Sequence, residues 1–253
     1  MNDSAISLAD ARPLVASPLW PRIRAFLWNF ASLCDPARLT AAAGGSGGAA
    51  PRSLDLLDAP RVAAGALRAL GVEPVFHPFP ATDASRLLLL SREDYDRLAQ
   101  FLGVVALAPA LRRVTVGADV RALKSALPDY RESLAFAAYF HRFEALFKRF
   151  EPADPPTDPA ADNSAFSIQH SALPAAVLAA GHRFLALALS DLPPELLLRQ
   201  RLRFPAGSPA DQALGADDSS LVTRRSSLAG EALAAARRAL KLSNPAESAA
   251  LFP

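Results

Sequence analysis

The sequence predicts an all-α, or predominantly α, protein that forms a single globular domain of many helices, with at most one small β element. Three observations support this fold class. Ala and Leu supply most of the apolar content, and both are good helix formers. β-Branched residues, which favour strands, are scarce. Apolar residues recur every three or four positions in several segments, as they do along one face of an α-helix.

Two breaks in composition interrupt the helical domain, which we place at residues 21–242. Residues 41–51 read AAAGGSGGAAP, a composition typical of a flexible tether. Residues 151–162 are rich in proline and aspartate and are predicted to be a loop, because proline cannot continue a helix. We expect residues 1–20 to be a flexible N-terminus and residues 243–253 to be a C-terminal tail. Whether the two insertions separate true subdomains stays open.

The helices of the first half are predicted from apolar spacing and from their end signals. One runs from Trp20 to about Leu33, and a shorter one runs over Pro60–Leu70. The residues Leu87–Leu90 fit either a short strand or a buried turn, since so few positions define no period. Ser91–Asp94 has the form of a capping box, which predicts a helix that ends near Ala108.

The second half contains the strongest helical pattern, at Asp129–Phe150. Phenylalanines recur there every three or four residues, at Phe136, Phe140, Phe143, Phe147 and Phe150. The simplest interpretation is a stripe that faces the core, and the alternative is a groove for a partner helix. Further helices are predicted over 173–189, from 191 to about 203 and over 228–242, with a loop over 205–218.

No pattern of catalytic or metal-binding residues stands out. The four histidines lack metal-ligand spacing, and Cys34, the only cysteine, is interpreted as a structural thiol. The signatures of a nucleophilic serine and of a phosphate-binding loop are missing. We therefore expect neither a metal nor a cofactor, and no enzyme activity.

Charge and hydropathy argue against nucleic acid and against membrane insertion. The formal charge is only +2, and the arginine pairs are dispersed along the chain. The longest apolar run, Phe101–Leu111, is half the ~20 residues that a membrane span needs. The N-terminus also lacks the apolar core of a secretory signal. We therefore expect a soluble, cytoplasmic protein.

Residues 95–136 resemble the central signature of the sorting-platform subunit K family of type III secretion systems (SctK, YscK, PscK). The resemblance lies in the Leu102–Gly103 pair at the end of a leucine-rich helix, the step Leu111–Arg113 and the apolar helix after it. Residues 26–39 and 180–205 are similar to the N-terminal and C-terminal parts of that family. The GGSGG insertion and the DPPTDP loop depart from its pattern.

The resemblance implies a helical adaptor without enzyme activity at the cytoplasmic base of the injectisome. In that family, the K subunit links the cytoplasmic domain of the D-type inner-membrane ring protein (SctD) to the pods of the Q-type subunit (SctQ). The pods in turn hold the stator and the ATPase. The main alternative is a secretion chaperone or regulatory protein. A helical DNA-binding protein and an unrecognised enzyme, which needs a deep polar pocket with perturbed carboxylates, are further alternatives.

Three arginines are candidate partner-contact residues. Arg112, Arg113 and Arg121 lie around the break at Gly117, which separates the segment Pro109–Val116 from a short helix predicted over Asp119–Leu127. Arginine is favoured at protein interfaces because its planar guanidinium forms bidentate hydrogen bonds and is less strongly hydrated than an ammonium group. The alternative is that Arg112 and Arg113 solvate a helix end or pair with Asp119.

Overall fold

The computed structural model describes residues 17–44, 60–72, 79–114, 117–127, 129–150, 173–216 and 225–252. Every regular element among these residues is helical, which confirms the all-α prediction. The four leucines Leu87–Leu90 are the end of a helix and a turn rather than a strand, and all four are buried.

The first half of the chain forms seven α-helices in the described residues. Trp20–Leu27 is α1, and a short 3-10 turn, Phe30–Ser32, follows it. The others are α2 (Pro36–Gly44), α3 (Pro60–Ala69), α4 (Asp83–Leu87), α5 (Arg92–Ala106), α6 (Ala108–Arg112) and α7 (Gly117–Ala126).

The second half begins with an interrupted helical segment. It consists of α8 (Tyr130–Phe136), a 3-10 stretch (Ala137–Phe143), α9 (Glu144–Phe147) and a 3-10 turn (Lys148–Phe150). The remaining helices are α10 (Leu173–Ala188), α11 (Pro194–Leu202), α12 (Pro209–Gly215), α13 (Arg225–Ser243) and α14 (Pro245–Leu251).

Two predicted boundaries near the N-terminus are wrong. The first helix ends at Leu27 rather than near Leu33, and the chain restarts at Asp35. The carboxylate of Asp35 accepts hydrogen bonds from the backbone N–H groups of Ala37 and Arg38, which caps α2. Because α2 extends to Gly44, the first four residues of the predicted tether are helical, and the rest of it lies outside the described residues.

The aromatic segment is not the continuous α-helix that its pattern predicts. It changes to 3-10 geometry over Ala137–Phe143, where residues three apart eclipse one another. Phe140 and Phe143 therefore project to the same side, and both are buried, as the core interpretation of the stripe predicts.

Two helices were missed in the C-terminal part. Within the predicted loop 205–218 lies α12, which the Ser208 hydroxyl caps by accepting a hydrogen bond from the N–H of Asp211 at 3.2 Å. The predicted tail contains α14, capped by the Asn244 side chain, and its last residue, Leu251, is fully buried. These residues belong to the folded domain.

The centre of the fold is the antiparallel crossing of α5 and α10, the most extensive helix contact in the described structure. A Cβ atom placed on Gly103 would lie 1.9 Å from the carbonyl oxygen of Val177, and one placed on Gly181 would lie 1.8 Å from that of Ala99. The two backbones are therefore in direct contact, which only glycine allows at these positions.

The crossing joins two hydrophobic clusters. The larger cluster contains Leu102 of α5 and Phe184 of α10, together with residues from α1, α2, α13 and α14. The smaller cluster contains Val104 of α5 and Val177 of α10, together with Leu111 and Leu123. The smaller cluster thus anchors α6 and α7, which carry the three candidate arginines.

Candidate partner-contact surfaces

The three predicted contact residues lie at the surface of the smaller cluster, and we call them the arginine corner. Arg112 is the last residue of α6, Arg113 follows it as the C-cap, and Arg121 lies within α7. All three are exposed. The structure therefore places them on two short helices that share one small core.

The position of two of these arginines also fits the alternative interpretation. Arg112 and Arg113 lie at the C-terminal end of α6, where a positive charge is favourable beside the last carbonyl groups. Arg121 lies in the middle of its helix, so this explanation does not apply to it. The other alternative, a pair with Asp119, involves a side chain outside the described ones.

A second exposed surface lies on α1, and sequence reasoning did not single it out. Arg24 of α1 and Trp28, which follows α1 as its C-cap, are exposed, whereas Trp20 is partly buried against the larger cluster. These three residues are spaced by four, and we call them the tryptophan face. The two indole rings meet edge to face with centroids 5.4 Å apart, and Trp28 is 47% exposed. The opposite side of the helix packs into the larger cluster through Ile23 and Phe26, which are 3% and 1% exposed.

Arginine hydrogen bonds fix α1 to two neighbouring helices. The Arg199 guanidinium of α11 donates to the carbonyl oxygen of Leu27 at 3.2 Å and lies 5.4 Å from the centroid of the Phe30 ring. Arg22 pairs with Glu247 of α14, and its Nη2 donates to Oε2 at 3.1 Å. The tryptophan face is thus carried by a helix that is fixed to both α11 and α14.

A buried carboxylate joins α2, α11 and α12. Asp211 lies 2.5 Å from the Arg38 Nη2 and 2.6 Å from the Arg201 Nε, and it accepts a hydrogen bond from the N–H of Gly207 at 2.7 Å. Burial raises the pKa of Asp211, but the hydrogen bonds from Arg201, Gly207 and Arg38 outweigh it, so the pKa is lowered. These ion pairs hold three helix ends together.

Arg203 is a second buried arginine that the sequence did not reveal. Its guanidinium donates to the carbonyl oxygens of Leu88 and Leu90 at 2.8 and 2.6 Å and to the Gln200 side chain at 2.8 Å. It therefore satisfies the backbone of the turn after α4. Its hydrogen-bond partners depend on which turn packs beside it, and the local sequence does not show this.

The only strongly perturbed histidine among the described residues lies in the α5–α10 crossing. His182 is 4% exposed, stacks on the Tyr95 ring at 5.9 Å and places Nε2 3.4 Å from the Asp96 Oδ1. Burial lowers the pKa of His182 to about 4, and burial raises the pKa of Asp96. The imidazole is therefore neutral at pH 7 and is enclosed by packing.

Two grooves are open on the described surface. One, of about 970 Å³, lies between α2 and α3 and is lined mainly by small apolar residues. The other, of about 570 Å³, follows the charged side of α5 past Asp96 and Gln100.

Cys34 is buried, and burial raises its pKa to about 11, which keeps the thiol protonated. Within the described ranges, no three metal-ligand side chains come together.

Comparisons with protein-family models, curated proteins and solved structures find no match to this chain. In the described part of the chain, no helix combines the length and the apolar character that crossing a bilayer requires.

Proposed function

We propose that this chain is a non-enzymatic adaptor of a bacterial type III secretion system, located at the cytoplasmic face of the inner membrane. It links the cytoplasmic domain of the D-type ring protein to the Q-type pod subunit, and through the pods to the stator and the ATPase. The observation that carries the proposal is the resemblance of residues 26–39, 95–136 and 180–205, in this order, to the subunit K family. Its task is the export of effector proteins.

The arrangement of the three resembling stretches supports the proposal. Gly103 of the central stretch lies against α10, and Gly181 of the third stretch lies against Ala99 of the central one. The first stretch joins the third through the Asp35 N–H, which donates to the carbonyl oxygen of Leu202 at 2.8 Å. Residues that build one shared core are expected to be those that a family holds in common.

The arginine corner is the contact face that we assign first. Replacing Arg113 and Arg121 with Glu should leave the fold intact, because both side chains are exposed and surface substitutions change stability by about 0.5 kcal/mol or less. The double variant should bind one of the two partners at least about tenfold more weakly, since reversed charges at a contact repel the partner's carboxylates. Isothermal titration with each purified partner measures the change.

A matched control reverses two exposed arginines elsewhere, Arg68 on α3 and Arg183 on α10. This double variant has the same net charge and should bind both partners normally. Unchanged binding by the Arg113→Glu, Arg121→Glu variant would exclude the arginine corner and leave the adaptor role standing. If deletion of the gene changes neither pod assembly nor secretion, the adaptor role itself is wrong.

A further inference from the structure

The groove along the charged side of α5 brings together side chains from three helices. Asp96 and Gln100 lie one turn apart on α5, Asp129 directly precedes α8, and Leu178 belongs to α10. We call the surface formed by these four residues the acidic groove. Asp129 is exposed and the other three are half-buried, so a ligand can reach all of them.

The arginines that border this groove already have carboxylate partners. Arg92 lies 3.6 Å from Asp35, and Arg97 lies 3.1 Å from Glu93. Their charges are therefore compensated within the fold. The charges that remain in the groove are those of its two aspartates, so the groove is negative although the whole chain has a formal charge of +2.

Asp129 has the position of a helix cap but does not act as one. An aspartate at the N-cap usually accepts a hydrogen bond from a backbone N–H of the first turn. The Asp129 side chain makes no such bond to α8, and no basic side chain of the described residues forms an ion pair with it. Its carboxylate is therefore available to a ligand.

Asp96 lies against a histidine that does not neutralise it. The Asp96 Oδ1 is 3.4 Å from Nε2 of His182, which is 4% exposed and whose Nδ1 has no hydrogen-bond partner in the described structure. Burial raises the pKa of Asp96 more than Arg92 and Arg203 lower it, and the imidazole is neutral at pH 7. A cation bound beside Asp96 would offset this cost of burial.

The groups in the groove suit a guanidinium. Two carboxylates and the amide oxygen of Gln100 accept hydrogen bonds, and a guanidinium has five donors and no acceptor. It is also less strongly hydrated than an ammonium group, so it enters a half-buried site more readily. Leu178 offers apolar surface to the methylene stem of an arginine.

Two other occupants fit less well. A calcium ion takes six to eight oxygen ligands, and within the described ranges no three metal-ligand side chains come together. The arginine corner of a second copy would make a head-to-tail contact, which continues from copy to copy as a ring or a filament. An adaptor that occupies one place between two partners does not need such a contact.

We propose that the acidic groove binds an arginine side chain of a partner protein, with the guanidinium held by Asp96 and Asp129 and the stem on Leu178. The inference rests on the proposed function, in which it gives the adaptor a contact of opposite charge to the arginine corner. A partner segment that suits one of these surfaces is repelled by the other.

The test replaces Asp96 and Asp129 with Asn in the full-length chain, which removes both charges and nearly preserves the side-chain shapes. The double variant is titrated with the purified Q-type subunit and with the purified cytoplasmic domain of the D-type protein from the same secretion locus. Its affinity for one of them should fall about 30-fold or more, because each lost charge-assisted hydrogen bond weakens binding about tenfold. Asp129→Asn alone should lose about fivefold and stay folded, because residue 129 is exposed and asparagine is an equally good N-cap.

The matched control is the variant Asp191→Asn, Glu195→Gln, which removes two exposed acidic charges elsewhere and has the same net charge. It should bind both partners normally, and losses equal to those of the test variant would overturn the inference. Far-UV circular dichroism and thermal unfolding check that each variant is folded. Normal binding of both partners by Asp96→Asn, Asp129→Asn would overturn the inference and leave the proposed function intact. If the unaltered chain binds neither partner, the proposed function is wrong, and this inference falls with it.

A double-mutant cycle identifies the bound arginine. Each exposed arginine of the affected partner is replaced with Ala in turn. One replacement should weaken binding to the unaltered chain but cause no further loss with the Asp96→Asn, Asp129→Asn variant. Additive losses for every arginine would overturn the inference.

Two further measurements address the other occupants. Titration with calcium or magnesium chloride would overturn the inference if the unaltered chain binds either ion with a Kd below about 1 mM and the double variant does not. Sedimentation equilibrium would overturn it if the chain self-associates and the double variant does not.

Discussion

The α5–α10 crossing and the aromatic segment over residues 130–150 stabilise neighbouring parts of one core by opposite means. At the crossing, Gly103 and Gly181 bring two backbones into contact, and the nearest atoms to each glycine are those of the opposite backbone. In the aromatic segment, rings fill the space instead, and Phe147 stacks on Phe184 with centroids 4.7 Å apart. The backbone atoms at the crossing cannot rotate away from an added methyl group, whereas the rings of the aromatic segment can adjust by small rotations.

The largest effect is therefore expected at the crossing. Replacing Gly103 or Gly181 with Ala places a methyl group within 2 Å of a carbonyl oxygen, so the helices have to move apart. Each change should cost more than about 4 kcal/mol, beyond the usual range for an overpacked core, because backbone rather than side chain must move. Urea unfolding measures this cost. A loss below about 1 kcal/mol would show that the crossing is looser than described.

The aromatic segment should give the next largest effect. Phe140 is 2% exposed and meets the Phe101 and Phe147 rings at 5.9 Å, so Phe140→Ala leaves a cavity. The expected loss is about 3–5 kcal/mol for Phe140→Ala, and a similar loss is expected for Phe143→Ala. Tyr139→Ala, next in the chain but exposed, should change stability by about 0.5 kcal/mol or less. Equal effects at residues 139 and 140 would contradict the described orientation of the segment.

These two regions differ in how far the sequence predicts them. The aromatic stripe is visible as a period of three to four residues, so its buried face was predicted correctly, although its 3-10 geometry was not. Among the eight glycines whose surroundings the structure describes, nothing in the local sequence distinguishes the two that meet a backbone from those that do not. Gly103 was singled out only because the Leu102–Gly103 pair resembles part of a family signature. Gly181 is in contact with Ala99, which lies about 80 residues earlier in the chain.

The missed helices have a different explanation, because their start signals are present in the sequence. Ser208–Asp211 has the form of an N-cap followed by proline in the first turn, but the preceding proline and glycine favoured a loop. The sequence predicts a tail after residue 242, but Asn244 and Pro245 also have the form of an N-cap followed by proline in the first turn, and they start α14. The exposure of Trp28 could not be predicted, because it depends on tertiary packing rather than on the local sequence.

The crossing also predicts a dependence of stability on pH. Burial lowers the pKa of His182 from its unfolded value of 6.5 to about 4, so the unfolded state binds the proton more readily. The stability of the protein is therefore highest above pH 6.5, where the imidazole is neutral in both the folded and the unfolded state. It falls as the pH drops towards 4, because only the unfolded state binds the proton in this interval. The loss is about 3 kcal/mol in magnitude. The raised pKa of Asp96, which faces His182, acts in the opposite direction and reduces the net loss.

Urea titrations at pH 7 and pH 4.5 measure this dependence. In His182→Gln, the stability should fall less over the same interval, because no buried imidazole remains at this position to be protonated. His141→Gln is a suitable control, because His141 is exposed on the aromatic segment. An identical fall in stability in His182→Gln and in the unaltered chain would assign the pH dependence to other groups.

The smallest effect, of opposite sign, is expected at a glycine that the crossing does not involve. Gly230 lies within α13, is exposed, and has no atom within 4 Å of the position that a Cβ would occupy. Gly230→Ala should stabilise the protein by about 0.5–1 kcal/mol, because alanine loses less conformational freedom in a helix. Paired with Gly103→Ala in the same urea assay, it separates helix propensity from steric contact, since the two substitutions are chemically identical. If both variants were stabilised, propensity alone would govern the helices and the direct backbone contact would be wrong. If both were destabilised, Gly230 would have a neighbour that the open space around it does not show.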